Sequence, residues 1–289
     1  MYFRFEYLHY YIRIRIVCLN IMSNSPKYDL TIILPAYNEE SNLEKCIRET
    51  VKAVDSLNAS YEIIIVENGS KDNTFKIAQK LAEEYPVIRP IHMDTPNVSK
   101  AIRNGYNIAK GNVVINLDVD LSTDMSHLRE LFEYSKEYDI VTGSRYVNKT
   151  MVKRTFDRLF LSVVFNKILV RGLLGSKLKD NNCGFRALKR DVAVAIFAEI
   201  KDDNFFGLVE LIIRAQKKGY KIKEFPVNWK ENPRRIGLKR IMDFLIPALK
   251  LWLELLMNKK VKICKDKDLR IIFITFFLCF LYLTNIIIY

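Results

Sequence analysis

The sequence predicts a doubly wound α/β domain, with helices on both faces of a mostly parallel sheet, followed by helices that associate with a membrane. From Tyr28 onwards, short apolar runs of strand length alternate with longer segments of helical period. This alternation is typical of parallel sheets. Polar and acidic residues follow several of the apolar runs directly, at the strand ends where such sheets bind ligands.

The first half of the chain shows the alternation in its most regular form. The apolar runs are rich in isoleucine and valine, and the segments between them carry apolar residues at helical spacing. The predicted strands are Leu30–Leu34, Glu62–Val66, Val87–His92, Val113–Leu117 and Ile140–Gly143. The predicted helices are Glu39–Leu57, Lys71–Tyr85, Ser99–Ala109 and Met125–Tyr138.

After Tyr146 the predicted segments become longer and more apolar. In chain order they are helix Thr155–Leu174, strand Asp180–Leu188, helix Gly207–Lys218, strand Tyr220–Trp229 and helix Leu238–Met257. The last helix contains Pro247 and Trp252 and carries apolar residues at helical spacing. We expect residues 28–237 to form the α/β domain and residues 238–258 to form an amphipathic helix at a membrane surface.

Charge and cysteine content restrict the partners. The 289 residues include 46 Lys and Arg against 33 Asp and Glu, a formal charge of +13. Such an excess favours an anionic membrane surface, phosphorylated substrates or nucleic acid. We expect no nucleic acid partner, because no run interleaves arginine with aromatic residues. Five scattered cysteines without a CxxC pair indicate neither a zinc site nor a disulfide framework, and fit a reducing compartment.

Both ends of the chain are predicted to lie outside the α/β domain. Charges interrupt every apolar stretch of the extension 1–27, which is either interfacial or an upstream extension of a chain that starts at Met22. Residues 259–270 are a basic juxtamembrane segment, and residues 271–289 carry no charge. At about 1.5 Å per residue, 271–289 just cross a hydrocarbon core of about 30 Å. We expect a transmembrane helix with the α/β domain on the cytoplasmic side; a buried core or oligomer helix is the alternative.

Asp118 and Asp120 form the first candidate site. They stand one residue apart directly after the predicted strand Val113–Leu117. Charged groups at the end of a buried strand are costly unless something compensates them. A divalent cation that bridges to phosphate oxygens is one compensation, since Mg²⁺ binds through one or two carboxylates plus substrate phosphates. For an isolated Asp-x-Asp pair, a solvated turn with helix-capping carboxylates is the alternative.

Two further polar loops follow the first two predicted strands. Pro35–Glu40 follows the first strand and Glu67–Thr74 follows the second. The acidic and amide groups of the second loop can bind a base or a ribose, and Gly69 permits a tight turn. Each loop by itself is also explained as a turn and a helix cap. Three polar loops at successive strand ends favour a common ligand site.

These loops resemble those of family 2 glycosyltransferases of the GT-A fold. The matching stretches are Ile32–Glu40, Glu62–Thr74, Asn116–Ser122, Gly143–Tyr146, Asp180–Arg186, Val209–Leu211 and Pro233–Lys239. The resemblance covers Tyr28 to Lys239, and the later motifs are similar to those of polyprenyl- and dolichyl-phosphate mannose or glucose synthases. It implies inverting transfer of a hexose from a nucleotide sugar, of the UDP-glucose or GDP-mannose type, to a polyprenyl (dolichyl) phosphate.

The resemblance also implies a role for individual residues. The donor nucleotide would be bound by Pro35, Tyr37, Glu39, Glu67, Asn68 and Lys100. A divalent cation, Mg²⁺ or Mn²⁺, would be held by Asp118, Asp120 and Ser122. The acceptor phosphate would be bound by Arg145, Arg158, Ser162, Arg235 and Lys239. The catalytic residues would be Asp118, Asp120 and Arg145.

The chain departs from the family pattern in two places. Most relatives carry Asp-Asp where this chain has Glu67-Asn68, which leaves the choice of donor open. The basic stretch Arg234–Lys239 lacks a serine usually found before the lysine, so either Arg234 or Arg235 is the one that reaches a phosphate.

None of the three histidines, His9, His92 and His127, lies in a matching motif. A sugar-hydroxyl acceptor needs a general base, whereas a phosphate monoester, with a second pKa of roughly 6, is largely dianionic at neutral pH. The shortage of bases therefore favours a phosphate acceptor. Transfer to a sugar hydroxyl of a lipid-linked glycan or polysaccharide remains the alternative. An inactive membrane adaptor is a third hypothesis, which the intact Asp118 and Asp120 disfavour.

Overall fold

A mixed, mostly parallel sheet of seven strands forms the centre of the protein, with the order β3-β2-β1-β4-β6-β5-β7. A computed structural model describes residues 25–147, 164–200, 206–230 and 238–257. The strands are β1 Tyr28–Ala36, β2 Tyr61–Asn68, β3 Ile88–Met93, β4 Gly111–Asn116, β5 Ile140–Ser144, β6 Arg186–Lys189 and β7 Ile222–Pro226. The α-helices are α1 Leu43–Asp55, α2 Thr74–Glu84, α3 Val98–Ile108, α4 Leu128–Glu137, α5 Arg190–Phe197, α6 Gly207–Lys218 and α7 Leu238–Met257, with a 3₁₀ turn Met125–His127 and a π-helix Val164–Leu173.

The first four strands confirm the predicted alternation. β1 pairs in parallel with β2 and β4, and β2 pairs in parallel with β3. Successive side chains of a strand point to opposite faces, and here both faces are covered. Ile32 and Ile63 enter one apolar layer, whereas Ile33 and Ile64 enter the other. Burial on both faces explains why β1, β2 and β4 are nearly continuous apolar runs in the sequence, whereas β3 is less buried and contains Arg89 and His92.

The second half of the sheet differs from the prediction. β6 runs antiparallel to both of its neighbours, β4 and β5, while β5 and β7 pair in parallel. The prediction of a strand that starts at Asp180 is wrong in its first six positions, because the strand starts at Arg186. Asp180 and Asn181 are fully buried, and side-chain hydrogen bonds hold them in a loop. Because β6 is antiparallel, this loop lies at the edge where β4 and β5 end.

Two other elements differ from the predicted ones. The predicted strand Tyr220–Trp229 is shorter, and it covers only Ile222–Pro226. α5 was not predicted, since Arg190 follows β6 without any turn residue between them. The predicted helices Gly207–Lys218 and Leu238–Met257 are confirmed at both ends.

α7 packs against α6 and the π-helix. Its buried face contributes Leu251 to a cluster that also contains Val170 and Val209. Arg214 of α6 binds Glu210 at 2.6 Å and Glu254 of α7 at 3.2 Å, which adds an ionic link between the two helices.

The described residues contain no helix that combines the length and apolarity needed to cross a bilayer. The predicted segments 259–270 and 271–289 lie outside the described residues, as do residues 1–24 of the extension and the part of the predicted helix before Val164.

Candidate active site

Hydrogen bonds join the loops after β1 and β2 into one unit. The N–H of Asn38 donates to Oγ of Ser70 at 2.9 Å, and Asn38 Oδ1 accepts from the N–H of Lys71 at 2.8 Å. The N–H of Glu39 donates to Oγ1 of Thr74 at 2.8 Å. Asn38 has a φ of 53°, in the left-handed region where asparagine is enriched. The first two sequence motifs therefore meet at the carboxyl edge of the sheet.

The predicted nucleotide residues occupy this edge at different depths. Pro35 is partly buried at the end of β1, and Tyr37, just beyond it, is 40% exposed. Glu39 is buried, and its Oε2 accepts a hydrogen bond from Asn42 Nδ2 at 2.8 Å. Lys100 is exposed in the first turn of α3. Tyr37 thus offers an aromatic ring to solvent, while Glu39 helps to hold the loop.

Glu67 is buried at the end of β2 and has two partners. Its Oε1 accepts from the N–H of Ser70 at 2.5 Å, and its Oε2 is in contact with Nδ1 of His92. Glu67 and His92 are register partners across β2 and β3. The sequence analysis gave His92 no role. The replacement of an aspartate by the longer Glu67 was the only signal, and it did not identify the partner.

The loops after β2 and β3 are also connected. Oδ1 of Asn68 accepts from the N–H of Asn97 at 2.6 Å, and Oδ1 of Asn97 accepts from the N–H of Lys100 at 2.9 Å. Gly69 has a φ of +70°, and a Cβ there would approach the backbone N of Pro96 to 3.0 Å. The tight turn expected at Gly69 is therefore present, and glycine is needed for both reasons.

Asp118, Asp120 and Ser122 stand together in the turn that follows β4. The N–H of Leu121 donates to the carbonyl of Asp118 at 3.2 Å, and Leu121 has a φ of 51°. Oδ1 of Asp120 accepts from the N–H of Ser122 at 3.1 Å. Asp118 is exposed, so its charge costs less there than the strand-end argument from sequence assumed.

The Asp118 carboxylate lies directly against Gly184, in the loop before β6. A Cβ at Gly184 would come within 2.5 Å of Oδ1 and 2.6 Å of Oδ2 of Asp118. No side chain other than hydrogen fits at this position while Asp118 keeps its place. The motifs after β4 and before β6 are therefore in direct contact.

The turn after β4 is fixed on its other side by the segment that follows β7. The carbonyl of Ser122 accepts from the N–H of Lys230 at 2.7 Å, and Thr123 forms a bridge with Trp229. The N–H of Asp124 donates to the carbonyl of Asn228 at 3.1 Å. These backbone contacts fix the position of the turn that carries the two aspartates.

Arg145, at the end of β5, forms a buried bidentate ion pair with Asp180. Its Nε and Nη2 donate to Oδ2 and Oδ1 of Asp180 at 2.6 and 2.7 Å. The guanidinium also lies over the ring of Trp229, at 5.1 Å from the centroid. Burial by itself raises the pKa of Asp180, but the charge and hydrogen bonds of Arg145 outweigh it, so that the pKa is lowered.

The residues present fit a divalent cation that completes its coordination with substrate. Among the described residues, no three His, Cys, Asp or Glu side chains are grouped as a complete protein-only site. Asp118 is exposed, and its carboxylate occupies the space that a side chain at Gly184 would fill. Two carboxylates are the number that Mg²⁺ commonly takes from a protein when phosphates and water supply the rest.

Most of the predicted acceptor residues cannot be placed. Arg158, Ser162, Arg234 and Arg235 lie outside the described residues. Lys239 belongs to the first turn of α7, where only the backbone is described. Arg145 is thus the one predicted acceptor residue whose side chain has a described position.

Together, the mixed sheet, the joined loops at its carboxyl edge and the aspartate pair after β4 define a glycosyltransferase. The sequence matches the family described as glycosyl transferase family 2 over residues 31–197, and the chain belongs to this family.

Several curated proteins are similar along most of the chain. Glycosyltransferase AglD of Haloferax volcanii is 35% identical over 240 residues, which is 81% of this chain but 38% of AglD. Dolichyl-phosphate beta-glucosyltransferase ALG5D of Trichomonas vaginalis is 32% identical over 225 residues, covering 72% of this chain and 68% of that protein. The dolichyl-phosphate beta-glucosyltransferase of Dictyostelium discoideum is 32% identical over 218 residues, with 70% and 66% covered.

The fold is shared with solved glycosyltransferases at lower identity. Glucosyl-3-phosphoglycerate synthase of Mycobacterium tuberculosis, in complex with Mn²⁺, uridine diphosphate and phosphoglyceric acid, superposes with a TM-score of 0.59 at 16% identity and 78% coverage of each chain. TarS 1-349 of S. aureus in complex with UDP-GlcNAc gives 0.52 at 15% identity, covering 81% of this chain and 68% of that one.

Proposed function

We propose that this enzyme transfers glucose from UDP-glucose to a dolichyl (polyprenyl) phosphate at the cytoplasmic face of a membrane, with inversion at the anomeric carbon. The observation that carries the proposal is the contact of Asp118 with Gly184, which brings the diphosphate-binding turn against the loop that holds Arg145. The identity of 32% to dolichyl-phosphate beta-glucosyltransferases over most of this chain supports the sugar and the acceptor.

The donor nucleotide binds at the ends of β1, β2 and β3. Tyr37 presents its exposed ring to the nucleotide, and the partly buried Pro35 lies near it at the end of β1. The bonds of Asn38 to Ser70 and Lys71 keep the two loops in place before substrate arrives. Such preorganisation avoids the entropic cost of ordering the loops on binding.

Asp118 and Asp120, with Ser122 beside them, would hold a divalent cation next to the donor diphosphate. The positive charge of a bound Mg²⁺ or Mn²⁺ would stabilise the departing nucleoside diphosphate. Gly184 allows the Asp118 carboxylate to keep its position, and the N–H of Ser122 orients that of Asp120.

Arg145 holds the acceptor phosphate together with Arg158, Ser162, Arg235 and Lys239. An acceptor oxygen attacks the anomeric carbon, and the bond to the diphosphate oxygen breaks as the new bond forms on the opposite face. No general base is required, because the acceptor phosphate is already ionised at neutral pH. Asp180 and Trp229 fix the Arg145 guanidinium, so that orientation and charge supply the catalysis.

The membrane segments bring the site to a lipid-linked acceptor. α7 lies along the membrane surface, with exposed Ile246 and Leu253 on its outer side. The basic segment 259–270 faces the cytoplasmic leaflet, and residues 271–289 span the bilayer.

Transfer assays with the full chain test the proposal. Dolichyl phosphate is incubated with UDP-glucose or GDP-mannose, with Mg²⁺, Mn²⁺ or chelator, and the anomeric configuration of the product is determined. A β-linked glucosyl phospholipid from UDP-glucose is the expected product. An α-linked product, transfer only to sugar hydroxyls, or a preference for GDP-mannose would contradict the corresponding part of the proposal.

Arg158→Ala tests the acceptor site separately. We expect the KM for dolichyl phosphate to rise at least tenfold, while the dissociation constant of UDP stays within twofold of wild type. An equal loss of donor and acceptor binding would place Arg158 elsewhere.

A further inference from the structure

The buried carboxylate of Glu67 lies in the middle of the edge formed by the ends of β1, β2 and β3, where we propose that the donor nucleotide binds. The side chain of Glu67 is 1% exposed, whereas that of its partner His92 is 46% exposed. Both carboxylate oxygens of Glu67 already have partners, the N–H of Ser70 and Nδ1 of His92. A ligand that approaches from solvent therefore meets His92 first.

The position of His92 fits a nucleotide ligand. Ala36, Glu67 and His92 are register partners on three adjacent parallel strands, so they form a row across the carboxyl edge of the sheet. Neighbouring strands lie about 4.8 Å apart, which places the ends of this row roughly 10 Å apart. The exposed Tyr37 directly follows Ala36 at one end, and His92 stands at the other. This separation is comparable to the size of a single base.

The imidazole ring is held in a defined orientation, with Nδ1 towards Glu67. A carboxylate can only accept, so Nδ1 carries the proton that it donates to Glu67. The ring of Phe75 supports the imidazole, with centroids 5.0 Å apart. Nε2 makes no hydrogen bond within the described residues, and the nearest carboxylate oxygen, of the fully exposed Asp94, is 3.8 Å away. In the neutral ring, Nε2 is an acceptor that points away from Glu67.

We propose that His92 binds the base of the donor nucleotide through Nε2, and that Glu67 is a positioning residue that orients the His92 ring. The inference rests on the proposed function for the identity of the nucleotide. Uracil offers the imide N3–H as a donor to Nε2. The length of the Glu67 side chain lets its carboxylate reach His92 on the neighbouring strand.

Binding of nucleotides to the full chain, measured without transfer, tests the proposal. The ligands are UDP and its N3-methyl analogue, which lacks the imide N–H. We expect wild type to bind UDP about tenfold more tightly than the analogue. His92→Phe keeps a ring beside Phe75 but removes Nε2. The variant should therefore bind UDP about tenfold more weakly than wild type and should bind both ligands equally. Lys80→Ser, a change at an exposed position of α2, should leave both dissociation constants as in wild type.

Glu67→Ala tests the positioning role. It leaves Nε2 in place but frees the ring, so the preference for UDP over its analogue should fall several-fold. Glu67→Gln keeps one of the two acceptor oxygens, so it should lose less of this preference than Glu67→Ala. A merely structural role would weaken both ligands equally. His92→Gln serves as the second variant if His92→Phe does not fold.

The outcomes separate this inference from the proposed function. A folded His92→Phe protein that binds UDP as tightly as wild type overturns the inference, even if glucosyl transfer is observed. Failure of wild type to bind UDP overturns it as well. Discrimination that depends on His92 supports it, even if wild type transfers no glucose to dolichyl phosphate.

Discussion

The carboxylate of Asp118 rests on the α-carbon of Gly184, so closely that a methyl group there would overlap it. The two residues belong to different motifs, one after β4 and one before β6. Their contact makes the position of the carboxylate depend on a residue that carries no functional group.

Gly184→Ala should therefore impair catalysis more than folding. The new Cβ would lie 2.5 Å from Oδ1 of Asp118, so the carboxylate must move. We expect kcat/KM to fall about 10- to 100-fold and the metal concentration for half-maximal activity to rise, because displacement by about 1 Å can cost that much. Metal titration of activity provides the measurement. Lys80→Ala, at an exposed position of α2, is the control. Equal losses in both variants would contradict the role of Gly184.

Asp118→Asn should abolish metal-dependent transfer. The substitution retains the shape of the side chain and removes the charge that holds a cation. Activity is expected to fall by at least 100-fold, while the melting temperature stays within a few degrees, because Asp118 is exposed. Activity measured over a range of Mn²⁺ concentrations and thermal unfolding provide the comparison. Full activity with an unchanged dependence on Mn²⁺ concentration would show that Asp118 is not a metal ligand.

Asp180→Asn should destabilise the protein in a pH-dependent way. Removing one partner of a buried ion pair costs about 3–5 kcal/mol, because Arg145 is left charged and buried. The folded-state pKa of Asp180 is lowered from 3.8, so the carboxylate contributes stability above the unfolded pKa and loses it as pH falls through the folded pKa. Urea unfolding at pH 7 should show the full difference between variant and wild type, and measurements below pH 3.8 a shrinking one. A difference that stays constant with pH would exclude the ion pair as its cause.

Cys46 and Cys183 should react with thiol reagents only when the protein unfolds. Burial, aided by nearby carboxylates such as Asp118 and Asp180, raises the pKa of each thiol to about 12. Peptide mapping after alkylation at pH 8, with and without urea, should show labelling of these two residues in urea alone. Rapid labelling of Cys183 in the folded protein would mean that the loop before β6 opens.

Ile246→Asp and Leu253→Asp should weaken membrane binding by α7. Both residues are large, apolar and exposed, at 44% and 52%, so a polar replacement should change stability by no more than about 0.5 kcal/mol. Sedimentation with anionic vesicles, in a chain truncated before residue 271, should show reduced binding relative to wild type. Lys80→Ser, an exposed change on α2, is the control. Unchanged binding would place another surface at the membrane.

β1, β2 and β4 were predictable because most of their residues are buried on both faces of the sheet. Runs such as Leu30–Leu34 are almost entirely apolar, and their alternation with helices predicts parallel pairing. The site loops were predictable because each one follows directly after such an apolar run. Strand order then brings distant motifs together, and this order cannot be derived from local patterns.

The remaining contacts depend on that order. Arg145 and Asp180 meet because β6 lies between β4 and β5, and His92 meets Glu67 through the register of β2 and β3. The start of β6 was predicted too early. Residues before it such as Asn181 are buried like strand residues, but side-chain hydrogen bonds hold them instead of strand pairing.

The strand order divides the sheet at a single seam. β1 to β4 lie on one side and β5 to β7 on the other, with β4 next to β6. The nucleotide edge therefore comes from one uninterrupted stretch of chain, and the partners of Arg145 come from the stretch that follows. The turn with Asp118 and Asp120, which follows β4, joins the two stretches through Gly184 and residues 228–230. A substitution in the second stretch can therefore alter this turn without changing any residue of the first.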